Sequence, residues 1–249
     1  MRWHPDGTRL ASGCEDGTIK IWDAMEGMCL TTLTGSAEGI TLGILSVDWH
    51  PDGIYLASGR FEVKIWNTDT WACLLTLPAN HSSAVQSWRW CPDGTRLASG
   101  TLDNTIKIWD TVKRTCLATL SVLNGEGDGV VCVDWHPDGT RLASGHRRLI
   151  KIWDTIKGTC MATLSGDSLG TRSVHWHPDG TRLAAGGDGT GGTGGAIEIW
   201  DANKGTCLSK LAGHTNCVHS VQWHRDGTRL ASGSQDTSVK IWQTMTLDL

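Results

Sequence analysis

The chain has 249 residues, 39% of them hydrophobic and 19% charged, with a net charge of −4. That length suffices for one domain with a large buried core. The small negative charge argues against a general nucleic-acid binder, which would carry a basic stripe, and no run of about 18 apolar residues is present to span a membrane. In chain order, Met1-Arg2-Trp3 leads into a turn at Pro5-Asp6-Gly7, then Arg9-Leu10-Ala11-Ser12, then Thr18-Ile19-Lys20-Ile21-Trp22-Asp23. The first phrase returns at Trp49, Trp90, Trp135, Trp176 and Trp223, and the second at Trp66, Trp109, Trp153, Trp200 and Trp242. Around Trp135 the pattern is plainest. Val131–Trp135, Arg141–Ser144, Leu149–Trp153 and Thr159–Leu164 alternate as short strands, with a turn at Pro137-Asp138-Gly139. Four strands joined by turn residues, with no helical periodicity, predict an antiparallel meander repeated six times.

A four-stranded unit recurring every ~40–45 residues with a Trp-Asp signature resembles the WD-40 repeat family. The resemblance covers essentially the whole chain and implies an all-β propeller of six four-stranded antiparallel blades. The blades are expected over residues 1–34, 35–78, 79–121, 122–165, 166–212 and 213–249 of a single domain. Trp-Asp is intact at Trp22, Trp109, Trp153 and Trp200, and becomes Trp66-Asn67 and Trp242-Gln243. Gly-His survives at Gly213-His214, and His81 stands at the equivalent offset. The resemblance implies buried His–Ser–Asp–Trp tetrads, and two can be assembled: His81, Ser99, Asp103, Trp109 and His214, Ser232, Asp236, Trp242. The first blade has Ser12, Asp16 and Trp22 without a His. The second and fourth lack both His and Asp and are expected to rely on packing.

Both ends are short. Only Met1-Arg2-Trp3 precedes the first turn, and Met245–Leu249 is too brief for a turn and outer strand. The first and last blades are therefore expected to be incomplete, as in a fragment of a longer, seven-bladed original. Met1 to Leu10 already belong to a repeat, so no signal peptide is visible. Cys29, Cys73, Cys116, Cys160 and Cys207 each lie seven residues after a signature Trp. Equivalent positions on different blades should be far apart, so these residues are expected as small buried apolar side chains in a reducing, intracellular (cytoplasmic or nuclear) compartment.

Interval lengths carry the functional signal. From the first-phrase Trp to the following Leu is seven residues in every repeat, and from the signature Trp to the repeat Cys is also seven. The interval holding the turn between the second and third strands runs from 17 residues (Trp49 to Trp66) to 24 (Trp176 to Trp200). The inter-blade interval runs from 23 to 27. All length variation falls on one rim, which the resemblance identifies as the top face, and repeat proteins vary where they bind. On that rim the carboxylates are Glu15, Asp16, Glu38, Glu62, Asp103, Glu126, Asp128, Asp167, Asp188 and Asp236, against Arg60, Arg147 and Arg148. Phe61 and His146 are unusual in their loops and are expected as contact anchors. The partner surface is thus expected to comprise Glu15, Arg60, Phe61, Glu62, Glu126, His146, Arg147, Arg148 and Asp188, facing a protein or peptide segment bearing Lys or Arg.

Other motifs weigh less. Gly186–Gly195 is glycine-rich but lacks a Gly-Lys-Ser/Thr ending and leads into a strand, so an insertion fits better than a phosphate loop. His175 and His177 have strand spacing, yet no Cys or carboxylate completes a metal site, and no oriented Ser–His pair suggests hydrolysis. Lys20, Lys107 and Lys151 read as solvated strand faces, Trp88 as core, and Trp71 is unassigned. The chain is expected to be a non-enzymatic interaction scaffold with no cofactor, metal or small-molecule substrate. The alternative is the repeat sensor or regulatory region of a larger signalling protein or enzyme.

Overall fold

In the computed structural model the described residues are 1–35, 43–78, 80–122, 129–166, 169–189 and 194–244. They contain strands and turns only, so no helix is long and apolar enough to cross a membrane. The chain is an all-β, six-bladed β-propeller, with five four-stranded antiparallel sheets and a last sheet of three strands. It divides into two compact units, residues 1–119 and 120–249.

The first unit holds blade one with β1 (Arg2–Trp3), β2 (Arg9–Gly13), β3 (Thr18–Asp23) and β4 (Cys29–Thr34). Blade two has β5 (Ser46–Trp49), β6 (Tyr55–Gly59), β7 (Glu62–Asn67) and β8 (Cys73–Pro78). Blade three has β9 (Val85–Trp90), β10 (Arg96–Thr101), β11 (Thr105–Asp110) and β12 (Thr115–Ser121), whose end crosses the unit boundary. The second unit holds blade four with β13 (Cys132–Trp135), β14 (Arg141–Gly145), β15 (Ile150–Asp154) and β16 (Thr159–Leu164). Blade five has β17 (Leu169–Trp176), β18 (Arg182–Asp188), β19 (Ala196–Asp201) and β20 (Thr206–Leu211). Blade six has β21 (Val218–Trp223), β22 (Arg229–Ser234) and β23 (Val239–Gln243). As the short ends led us to expect, the first and last sheets are the irregular ones: β1 has two residues, and blade six has no fourth strand among the described residues.

The invariant intervals are fixed by turn chemistry. In Pro-Asp-Gly-Thr the carboxylate of Asp6 accepts from the backbone N–H and the hydroxyl of Thr8 (both 2.8 Å), and Asp138 does the same for Thr140. The glycine between them takes a positive φ, +78° at Gly7, which a side chain would strain. The backbone bond from Thr8 holds the Asp6 carboxyl down at about 2. In Trp-Asp the carboxylate of Asp23 accepts from the N–H groups of Met25 and Glu26, closing the β3–β4 turn. Asn67 Oδ1 accepts from the N–H groups of Asp69 (3.1 Å) and Thr70 (2.8 Å), so Asn caps the same turn that Asp caps in blade one.

The core lies between blades. Ile19, Ile21 and Leu33 of blade one meet Val47, Trp49, Leu56 and Trp66 of blade two. Val63 and Ile65 meet Trp88 and Trp90 of blade three, where Trp88 is fully buried. In the second unit, Ile150 and Ile152 meet Trp176 and Leu183. Ile197 and Ile199 meet Val221 and Trp223. Trp71, at φ +57°, is half-buried and packs edge-on to Trp49 at the border of the core, with ring centroids 6.4 Å apart.

Two expectations about side chains fail here. The five repeat cysteines are exposed, not buried. Each is the first or second residue of the outermost strand, and Cys29, Cys73, Cys160 and Cys207 stand opposite the signature Trp at a register shift such as Ile21/Trp22, whereas in the first blade it is the later Leu33 (6% exposed) that turns inward. All nine cysteines are free. Lys151 is buried rather than solvated, and its ammonium donates to the Thr163 hydroxyl across the β15–β16 pair (3.2 Å).

Candidate functional site

Within each unit, hydrogen bonds place the variable turns side by side. Ile44 N–H in the blade one–two connection donates to the carbonyl of Cys14 in the β2–β3 turn (2.9 Å). Val85 N–H donates to Arg60 (2.6 Å), Thr171 to His146 (3.2 Å) and Gln235 to Cys217 (2.9 Å). The fixed-length turns are likewise bound to one another at the opposite end of the sheets, as Ala24 N–H to Thr8 and Thr155 N–H to Thr140. Each unit thus has one rim where length varies and one where it does not.

Beneath the variable rim lie polar networks that run down to the signature Trp. In blade three the Trp109 indole donates to Ser99 Oγ (3.0 Å), which lies 2.8 Å from His81 Nε2. His81 Nδ1 lies 3.3 Å from Asp103. Asp103 also accepts from Ser82 N–H (2.9 Å), Thr105 N–H (2.9 Å) and the Thr101 hydroxyl. Burial pushes the Asp103 carboxyl up, but the bonds from Thr101, Thr105 and Ser82 outweigh it and hold the group well below the usual carboxylate range. In blade six Trp242 donates to Ser232 (2.8 Å), Ser232 lies 2.7 Å from His214, and His214 Nδ1 donates to Asp236 (2.8 Å). Among the described residues, blades one and two keep the Trp-to-Ser bond without a histidine, Trp22 to Ser12 (2.9 Å) and Trp66 to Ser58 (2.8 Å). Asp16 is exposed and caps Thr18 in its own turn.

Blade four corrects two expectations at once. His146 is fully buried and so is no contact anchor. Its imidazole takes the place of the missing loop histidine: Trp153 Nε1 donates to Ser144 Oγ (2.8 Å), which lies 2.9 Å from His146 Nε2, while His146 Nδ1 donates to the Gly129 carbonyl (3.0 Å). The blade therefore does not depend on packing alone. A backbone carbonyl stands where Asp103 stands in blade three, and burial, reinforced by Lys151, pushes the His146 pKa down to about 4 despite the Gly129 bond. Ser144 lies in β14 and His146 follows it by two residues, just past the end of that strand, which brings the ring beside the serine hydroxyl. That spacing was the available signal. Among the described residues blade five shows no such network: Ala185 stands at the serine position, and the buried Trp200 indole N–H has no partner.

The remaining rim residues divide by unit. In the first, Glu15 is exposed, Glu62 is half-buried, and Phe61 is exposed with the Arg60 guanidinium 5.6 Å from its ring. In the second, Arg147 and Arg148 are exposed, and Asp188 pairs with Arg172 (3.5 Å). Glu38, Glu126, Asp128 and Asp167 lie outside the described residues, as does the middle of the glycine-rich run, 190–193. The ten-to-three acidic excess is thereby narrowed. Asp103, Asp188 and Asp236 are engaged internally, leaving Glu15, Asp16 and Glu62 as the available described carboxylates, all in the first unit. Among the described residues no cluster of three or more His, Cys, Asp or Glu could hold a metal ion.

One set of residues escaped the sequence reading. The imidazole Nε2 of His4 donates to the carbonyl of Gly53 in the next blade (3.1 Å), and His50, His136 and His177 do so to Gly94, Gly180 and Gly227 (2.9–3.0 Å). Each ring also stands edge-on to the next blade's Trp, His4 to Trp49 at 4.7 Å and His177 to Trp223 at 4.6 Å. These histidines join blades at the fixed rim.

The sequence profile described as "WD domain, G-beta repeat" matches residues 1–23, 27–67, 71–110, 114–154, 158–201 and 205–243. The chain belongs to the WD40 repeat family. Among curated relatives, "Nuclear distribution protein nudF 1" of Talaromyces marneffei is 30% identical over 50% of this chain and 27% of its own length. "APC/C activator protein CDC20" of Saccharomyces cerevisiae is 33% identical over 49% of this chain and 19% of its own. "Protein tipD" of Dictyostelium discoideum is 29% identical over 51% and 21%. The chain thus matches about a quarter or less of the length of these relatives. WD40 repeats commonly serve as protein-interaction scaffolds and are generally not enzymes.

Proposed function

We propose that this WD40 chain is a non-enzymatic scaffold that recruits a protein or peptide through its variable rim. The observation that carries this is that length variation is confined to one rim, beneath which hydrogen-bonded networks brace blades three, four and six. Rigid sheets with divergent loops are how repeat folds build binding surfaces. In the first unit Glu15, Asp16 and Glu62 attract a segment bearing Lys or Arg, and Phe61, braced by Arg60, supplies an apolar anchor. Glu126, in the sequence between blades three and four, joins the acidic set by its place in the repeat alone. In the second unit Arg147, Arg148 and Asp188 provide contacts of both signs. Exposed rim charges act mainly on encounter rate and partner choice, so binding should be salt-sensitive. No cofactor, metal or small-molecule substrate enters this reading, and its setting is intracellular, cytoplasmic or nuclear, as the nine free thiols suggest.

A second reading makes these repeats the sensing or regulatory region of a larger protein. It is supported by the relatives, in which the matched repeats are a minor share of the length. The coding sequence flanking these repeats decides that point.

The test of the scaffold is affinity capture from native cells with mass spectrometry. The Glu15→Lys/Glu62→Lys/Glu126→Lys variant should lose the partners of the wild type. Glu26→Lys/Asp69→Lys, at exposed positions in the fixed-length turns, should keep them. The reverse pattern would show that the fixed rim binds.

A further inference from the structure

Besides its carboxylates, the variable rim of the first unit carries a strip of apolar side chains. Among the described residues, three large apolar side chains are exposed in the turns and connections of that rim: Leu45 (44%), Phe61 (48%) and Leu102 (49%). They come from the connection into β5, the β6–β7 turn and the β10–β11 turn, all within residues 1–119. Backbone pairing lines them up. Ser46 pairs with Gly59, which brings Leu45 alongside the Arg60-Phe61 corner. Val85 donates to the Arg60 carbonyl and pairs with Thr101, which sets Leu102 one step further along the rim.

Each of the three is held from below. Ile44, 7% exposed, fills the space over Gly13 and Gly35, where an added Cβ would collide with it, so its neighbour Leu45 stays outside. The Arg60 guanidinium braces Phe61. Leu102 stands between the fully buried Thr101 and Asp103, whose carboxylate accepts from the N–H groups of Ser82 and Thr105. Apolar side chains on a fixed backbone bind at little ordering cost, which suits them as anchors. Charge is added at one end of the strip. Gly43, two residues before Leu45, lies against the backbone of Glu15, and Glu62 follows Phe61. At the Leu102 end the adjacent carboxylate, Asp103, is spent on its network.

We infer that the partner of this rim is an extended protein segment in which a Lys or Arg stands beside two large apolar residues. The apolar pair covers Leu45, Phe61 and Leu102, and the cation faces Glu15 and Glu62. This rests on the variable-rim reading and adds the chemistry of the bound segment. A purely basic segment would leave the apolar strip in water, and a purely apolar one would desolvate Glu62 without a counter-charge. Glu15 and Glu62 repel the phosphates of an anionic lipid surface and of nucleic acid, which leaves a protein segment as the occupant. The apolar contacts set the affinity, and the charges set encounter rate and partner choice.

Selection of phage-displayed random short peptides against the full 249-residue chain tests this. The enriched peptides should share a Lys or Arg next to two large apolar residues. Fluorescence anisotropy with a labelled enriched peptide should show Leu45→Ser and Leu102→Ser each weakening binding about tenfold. Their Tm should match the wild type, since both side chains are exposed. The fixed-rim variant Glu26→Lys/Asp69→Lys should bind the peptide as the wild type does. Enriched peptides without the apolar pair, a selection with no shared sequence, or wild-type binding by either leucine variant would overturn the inference. Capture of native partners separates it from the scaffold reading. If Glu15→Lys/Glu62→Lys/Glu126→Lys loses those partners while Leu45→Ser/Leu102→Ser keeps them, the rim binds without the apolar strip and the inference falls alone. If only Glu26→Lys/Asp69→Lys loses them, the scaffold reading falls with it.

Discussion

His146 links the blade-four network to pH in a way that can be worked through from its surroundings. In the folded chain the ring is neutral. It accepts from Ser144 at Nε2 and donates from Nδ1 to Gly129, with Trp153 donating to the serine in turn. A second ring proton would leave the serine hydroxyl without its acceptor inside a fully buried site. The folded pKa is about 4, below the ~6.5 of an unfolded histidine, so between these values the unfolded chain binds more protons. Stability is therefore complete above pH 6.5 and is lost as pH falls through 4. At ~1.4 kcal/mol per unit the full loss is about 3 kcal/mol, of which about 2.5 is gone by pH 4.5. Replacement by Ala should cost about 3 kcal/mol at pH 7, from the cavity and from the unpaired Ser144 and Gly129 groups. It also removes the titration. The gap in unfolding free energy between wild type and His146→Ala should therefore nearly close by pH 4.5, other titrations cancelling in the difference. Denaturant unfolding at pH 7, 5.5 and 4.5 measures it. A gap that stays constant would mean that the ring is not held neutral by burial, and the network would be wrong.

Ala185→Ser should stabilise the second unit by about 1 kcal/mol, seen as a raised Tm, because it gives the buried Trp200 indole the acceptor found in the other blades; a lower Tm would show that the site has no room for the hydroxyl. Asp103→Ala should cost about 1–3 kcal/mol by stranding Ser82, Thr105 and His81, and a thermally silent variant would remove the case for a working network there. In native protein a small maleimide should label Cys29, Cys73, Cys116, Cys160 and Cys207 rapidly, counted by intact mass. Cys91 and Cys217, whose thiols burial pushes up to about 11, should react only on unfolding. Early labelling of that buried pair would contradict the fold.

The fold was legible because the apolar period, the turn residues and the signature Trp recur in register, so each copy corroborates the others. Less legible was anything that depends on which blade supplies a partner. The histidines of the fixed rim had no role assigned from the sequence, since their acceptors lie 44 to 50 residues away in the next blade. His146 looked like an oddity of a shortened loop, although its position two residues after Ser144, just past β14, shows that a residue at a strand's exit can replace a histidine of the preceding loop. The cysteines misled because their repeat position was read as a core position, whereas the outermost strand has no further strand to cover its first residues. At the rim, sequence counting overstated the acidity. Asp103 and Asp236 are spent on networks and Asp188 on Arg172, which pairwise bonding alone reveals.

Hydrogen exchange on the chain with and without its captured partner tests rim recognition most directly. If the variable rim binds, protection should rise at residues 13–17 and 59–62, around Glu15, Phe61 and Glu62. It should be unchanged at residues 4–8 and 23–28 in the fixed-length turns. New protection confined to 4–8 and 23–28 would contradict it and assign recognition to the opposite rim.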